Sequence, residues 1–290
     1  MHDGATEGED PKLYVVATPL GNLGDITLRA LQVLGAVDVI AAEDTRVTHK
    51  LLQHHGIHTR LIAAHEHNER SAAARIVALL REGKQVALVT DAGTPGFSDP
   101  GAEVVAAVRA AGLAVTPIPG ANAAVAALSA SGRVTDRVLF CGFLPARAAA
   151  RRKALETLRA LPFTLVFYEA PHRVRETLID LRDALGPERT VTLARELTKR
   201  FEAFHSCPLA QAEAWVAADP NRERGEFVLL VDGAEVERAA EAEEKSAERV
   251  LQVLLAELPL KQAVALTTTI TGANRNRLYA RALALRSDAS

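Results

Sequence analysis

Short apolar runs, each followed by a stretch with helical spacing, recur through the first half of this chain and leave few folds open to it. Segments 13–18 (LYVVAT), 37–42 (VDVIAA), 86–90 (VALVT) and 114–118 have strand length. Between them, helices are predicted over 26–34, 48–55 and 71–80, from about Pro100 onward, and over 121–129, with apolar residues recurring along each. Strands that alternate with helices pack as a parallel, doubly wound sheet covered on both faces. Ligands in such sheets bind beyond the carboxyl ends of the strands. The turns after Thr18, Ala42, Thr90 and Ile118 are therefore where a site is expected.

A polar joint follows at 132–136, and strands are predicted again over 138–143, 164–168, 190–194 and 226–231. A chain of 290 residues exceeds the usual single domain. The expected organisation is an N-terminal α/β domain over 12–132, a second α/β domain over 137–233, an acidic linker over 234–248, either a tether or an exposed helix, and a C-terminal helical module over 249–288. That last stretch has six Lys or Arg against two Asp or Glu, although the whole chain carries a formal charge of −2. Any nucleic-acid contact must therefore come from a local basic patch. Cys141 and Cys207 fit no zinc or redox spacing and read as reduced, buried thiols. The small, acidic N-terminus has no signal-peptide pattern and no apolar run approaches a membrane span, so a cytoplasmic location is expected.

Four loop segments in the first half carry the chemistry. TPLGNLGD (18–25) follows the first strand, but its glycines match neither a dinucleotide fingerprint nor a phosphate loop. DAGTPGFSDPG (91–101) packs two carboxylates among glycines and prolines; Asp91 and Asp99 suit either ligand hydrogen bonding or turn-making. PGANAA (119–124) places tiny residues at a helix start, which fits a flat ligand or tight packing equally well. AEDTR (42–46) and His65 bring titratable groups to strand ends. The histidines at 49, 54, 55, 58, 65 and 67 lack metal-ligand spacing, so no metal is expected. In the second half, FYEAPHR (167–173), LARELTK (193–199) and RGEFV (224–228) join strand edges to polar residues able to close over the first set.

Together with HEHN (65–68), GFLP (142–145) and PIPGANAAVAALSASG (117–132), these segments resemble, in order and context, the ribosomal RNA small subunit methyltransferase I family of the tetrapyrrole methylases. The resemblance runs from about Lys12 to Leu285. It implies two α/β domains with S-adenosylmethionine in the cleft between them, a homodimer, and methylation of the ribose 2′-hydroxyl of a cytidine at the decoding site of 16S ribosomal RNA, free or in the assembled small subunit. It places the methyl donor against Pro19, Leu20 and Gly21; Asp91, Ala92, Gly93, Thr94 and Ser98; and Asn122, Ala123 and Ala124. The second domain would add Tyr168, Ala194, Gly225, Glu226 and Phe227. Candidates for a base or other catalytic role are Glu43, Asp44, Arg46, His65, Glu196 and Lys199. RNA contacts are expected from Arg147, Arg151, Arg152, Arg275 and Arg277. At Gly96 relatives often carry a bulky aliphatic, which suggests a looser loop here.

Two rival functions fit parts of the pattern. Methylation of a tetrapyrrole would use the same cleft but has no need of the basic C-terminal segment. A non-catalytic RNA-binding factor would need that segment but not the donor loops.

Overall fold

The structure, a computed structural model, describes residues 10–65, 68–133, 137–234 and 236–287. Its first half forms an all-parallel sheet in the order β3-β2-β4-β1-β5. The strands are β1 (Lys12–Val16), β2 (Val39–Ala42), β3 (Arg60–Ala63), β4 (Val86–Val89) and β5 (Ala114–Ile118). β2 and β4 are buried at every position, as strands covered on both faces must be. Helices α1 (Leu28–Ala36) and α2 (Thr45–His54) cover one face, with Leu34 and Leu52 packed against Ile40 and Val89. Helices α3 (Glu69–Arg81) and α4 (Ala102–Ala110) cover the other, where Ile76, Leu80 and Val108 meet Leu13 and Leu88.

The second sheet is mixed, in the order β6-β7-β10-β8-β9. β6 (Val138–Phe143) runs parallel to β7 (Thr164–Glu169), whereas β10 (Phe227–Val231), β8 (Thr190–Arg195) and β9 (Ala203–Pro208) join antiparallel. One face packs on α6 (Ala148–Leu158), α7 (Val174–Leu185) and α8 (Leu209–Ala217). The other face is covered from the first half of the chain. Helix α5 (Ala123–Ala130) sets Ala124 and Ala127 against Val166, Ala194, Val228 and Leu230, with Leu20 and Phe97 packed alongside. Although the sequence places α5 with the N-terminal domain, its apolar contacts fasten the two sheets together.

Of the two forms open to the acidic stretch over 234–248, a tether or a helix, the chain takes the helix. Helix α9 (Val236–Glu257) runs unbroken through it, and Ala247 shares a core with Leu251, Val264 and Ala282. α10 (Leu260–Thr271) starts directly after Pro259 and ends at Gly272, whose φ of 72° supplies the left-handed cap that favours glycine; α11 (Arg275–Ser287) follows. Among the described residues, no helix is long and apolar enough to cross a membrane.

Candidate active site in the cleft between the sheets

Three loops at the carboxyl ends of β1, β4 and β5 are stitched together. Thr18 and Gly93 exchange backbone hydrogen bonds of 2.8 and 3.0 Å, and Thr18 Oγ1 donates to the Thr90 carbonyl at 3.0 Å. Thr94 Oγ1 donates to Ala121 O at 3.0 Å. Gly93 holds φ at 84°, so its backbone faces the cleft with no side chain in front. Asn122 caps α5, its Oδ1 accepting from Val125 N at 3.1 Å. Gly120 answers to packing instead, since a Cβ there would lie 2.9 Å from Ala17 Cβ. The loop around Gly96 is closed rather than loose: Gly96 N donates to Pro100 O at 3.1 Å, and its φ of 78° would strain an aliphatic residue.

The second sheet supplies the opposite wall. Tyr168 reaches from β7 to α5, its hydroxyl accepting from Ala124 N at 3.1 Å, and burial raises its pKa. Phe97 crosses from the β4 loop to stack on Phe140 at 4.1 Å, and Phe140 and Phe143 meet Tyr168 edge-on. Gly21 leaves room for the Lys199 side chain, whose Cγ would lie 2.6 Å from a Cβ at that position. Lys199 Nζ donates to Glu196 at 2.8 Å and to Glu226 at 3.0 Å. The Glu196 side chain fills the space over Gly225, where no Cβ fits.

Between these walls lies a cavity of about 300 Å³. Of the residues expected to hold a donor, Leu20, Ala92, Gly93, Thr94, Asn122 and Ala123 line it from the first half. Tyr168, Glu226 and Phe227 line it from the second. Pro19, Gly21, Asp91, Ser98, Ala124 and Gly225 flank these lining residues in the same segments. Ala194 is fully buried beneath, against α5, and presents no surface to the cavity. The sequence reading missed Phe97, Phe143 and Leu197 as wall residues, whereas Asp99, read as either a ligand contact or a turn-maker, does line the cavity. GFSDPG and GFLP already showed an aromatic beside glycine, which was the available signal.

The candidate bases separate by their partners. Asp44 caps α2, accepting from the Arg46 guanidinium, with Nη2 at 2.6 Å, and from the Arg46 backbone N–H at 2.8 Å; those bonds hold its pKa down at about 2. Glu196 is pushed up by burial, but the Lys199 ammonium and the Glu226 N–H more than offset this, and its pKa is lowered. Lys199 is desolvated, yet its two carboxylate partners raise its pKa and keep it charged. Glu43 accepts from Asp91 N at 3.3 Å. Asp91 in turn accepts from Asp44 N at 3.0 Å; burial raises its pKa. His65 is half-buried beyond β3, its backbone N–H donating to Asn68 Oδ1 at 2.8 Å. Arg46 points to solvent.

Among the expected RNA contacts, Arg151 is corrected. It is 2% exposed, and its Nε donates to Asp180 Oδ2 at 2.6 Å in the core between α6 and α7. A guanidinium so enclosed cannot meet phosphate. Arg147, Arg152, Arg275 and Arg277 are exposed, although Arg152 also bonds Asp180. Cys207 is buried, and burial lifts the half-buried Cys141 thiol to about 11.

Comparison with known proteins bears on the family and the fold. Residues 12–213 match the family described as Tetrapyrrole (Corrin/Porphyrin) Methylases, and residues 239–286 match the RsmI C-terminal HTH domain. The chain is 54% identical over 271 residues to the ribosomal RNA small subunit methyltransferase I of Pseudomonas aeruginosa, covering 93% of this chain and 96% of that protein. It is 50% identical to the protein of that name from Escherichia coli O157:H7, covering 98% of each. Among solved structures it resembles a cobalt precorrin-4 methyltransferase of cobalamin biosynthesis, with TM-score 0.59 at 18% identity, covering 78% of this chain and 97% of that one. At that identity the likeness shows the fold alone. The chain belongs to the ribosomal RNA small subunit methyltransferase I family of the tetrapyrrole methylases.

Proposed function

We propose that this chain transfers a methyl group from S-adenosylmethionine to the ribose 2′-hydroxyl of a cytidine at the decoding site of 16S ribosomal RNA. Family membership supports the reaction, and one observation supports its location: the cavity closed by Tyr168, Leu20 and Phe97 across the two sheets. Its volume is at the lower end of ligand pockets, roughly 300–1,000 Å³. Its walls fit a nucleoside-bearing donor. Leu20, Leu197 and Val228 give apolar faces for a flat base, and Ala92, Gly93 and Ala123 leave backbone polar groups within reach.

The bound donor supplies a methyl carbon already activated by a sulfonium, so the chain's own task is alignment, exclusion of water and removal of one proton. Leu20 and Phe97 shield the inner cavity. Phe143, half exposed at the rim, offers a face on which an unstacked nucleobase can lie. Arg147, Arg152, Arg275 and Arg277 are exposed and put positive charge on the surface that phosphates would approach.

Calorimetric titration with S-adenosylmethionine tests the location. The parent protein should bind one equivalent, and Ala123→Phe, which fills the cavity, should bind at least roughly tenfold more weakly. Equal affinities would move the donor elsewhere, and no binding by the parent would remove the function.

A further inference from the structure

The carboxylates around the cleft differ in one respect. Asp44 is bound by Arg46, Glu196 and Glu226 by Lys199, and Glu169 by Thr177 and Arg173. Glu43 and Asp91 accept backbone N–H groups. Asp99, half-buried in the cavity wall, is met by no hydrogen-bond donor or cation among the described residues. The charges that face it come from three elements and are all negative: Glu43 after β2, Asp91 after β4 and Glu226 before β10. Across the cavity the Tyr168 hydroxyl feels its charge.

The loop that carries Asp99 is held in place at a cost. Ser98, immediately before it, has φ of 67°, one of three non-glycine residues with positive φ among those described. The other two, Glu196 and Thr198, are in the facing loop of the second domain. A strained backbone persists only where its surroundings over-determine it, and such residues gather at functional sites. Here Phe97 stacks on Phe140 and Ser98 Oγ fits against Gly142, where a Cβ would come within 3.0 Å. The contacts on both sides of the junction fix Asp99 at the cavity.

We infer that Asp99 is the catalytic base, taking the proton of the ribose 2′-hydroxyl as that oxygen bonds to the donor's methyl carbon. The assignment rests on the proposed methyl transfer to ribose. In the step the O–H bond breaks and its proton passes to an Asp99 carboxylate oxygen. The O–C bond forms as the C–S bond breaks, with that electron pair left on sulfur. A hydroxyl proton needs a base that is ionised yet retains proton affinity near neutral pH. Burial, reinforced by Glu43, Asp91 and Glu226, pushes Asp99 up to about 7, whereas Asp44 is held at about 2 and Glu196 is lowered.

Asp99→Asn keeps the shape and removes the base. Single-turnover methyl transfer to small ribosomal subunits should fall by roughly 100-fold or more, with S-adenosylmethionine affinity by calorimetry within about threefold. The parent rate should rise roughly tenfold per pH unit below 7 and level above it, a dependence that the variant loses. Independently of activity, carbon-13 NMR of aspartate-labelled protein should show one carboxyl titrating near 7 that is missing in Asp99→Asn. Donor affinity falling in step with the rate would make Asp99 a donor anchor and overturn the assignment, as would an unchanged rate in an active parent. A parent that binds donor but methylates no RNA would overturn the function, and the assignment with it; the NMR titration would still report whether Asp99 has the expected proton affinity.

Discussion

Replacing Arg151 with methionine separates two roles that a basic helix suggests. The side chain is 2% exposed, as is that of its partner Asp180. Its Nε donates to Asp180 at 2.6 Å, with further contacts to Ala146 O at 3.3 Å and Glu176 at 3.4 Å. Removing one member of a buried pair leaves the other charge uncompensated, which costs about 3–5 kcal/mol. Arg152 remains on the second Asp180 oxygen at 2.7 Å, so the low end, about 3 kcal/mol, is expected. At about 2–4 °C per kcal/mol for a body of this size, Tm should drop by roughly 6–12 °C. The neighbouring Arg152→Met removes a cation that is 63% exposed and should lower Tm far less, since solvent screens its pairing with Asp180. Thermal melts and urea titrations of both variants read these differences, and RNA affinity measured below the transition should be unchanged in Arg151→Met. A variant that melts with the parent but binds RNA more weakly would refute the reasoning and return Arg151 to the surface.

Tyr168→Phe leaves Ala124 N–H without its acceptor, a loss of about 1–2 kcal/mol that should appear in urea titrations and as weaker S-adenosylmethionine binding; unchanged values for both would deny the bridge between the sheets. Asp99 titrates in the fold at about 7 against an ordinary 3.8, so its ionised form penalises folding. That penalty is absent below about pH 4, grows between 4 and 7 and is full above 7; Asp99→Asn should therefore gain Tm over the parent at pH 8 but not at pH 4, and a gain independent of pH would contradict it. Reversing Arg275 and Arg277 to glutamate should weaken RNA binding and reduce its salt slope by roughly 1.4 for two lost single-strand contacts, leaving donor affinity intact; an unchanged slope would limit α11 to packing.

The alternation of strands and helices was legible because β2 and β4 are wholly apolar and β5 is bounded by glycine and proline turns. β3 and β9 were not: Arg60 and His205 interrupt short edge strands whose pairing, rather than composition, makes them strands. The antiparallel entry of β8, β9 and β10 is equally absent from local pattern, since strand direction is set by connections. α9 runs through the expected linker because an acidic, alanine-rich stretch is also a good helix former. Arg151 had a readable signal, as it shares a helix face with buried Leu155 one turn on. The donor loops announced themselves through glycine and proline. Asp99 was legible as a candidate ligand contact but not as a base, because what distinguishes it from Asp91 is the lack of a partner, and that emerges only when loops from both halves meet.

Labelled S-adenosylmethionine, incubated with this protein and small ribosomal subunits from a strain lacking the activity, tests the central claim most directly once the modified nucleotide is mapped. The account predicts one ribose 2′-O-methyl mark on a decoding-site cytidine. Donor binding without label in any RNA, or a methyl group on a base or a tetrapyrrole instead, would contradict it.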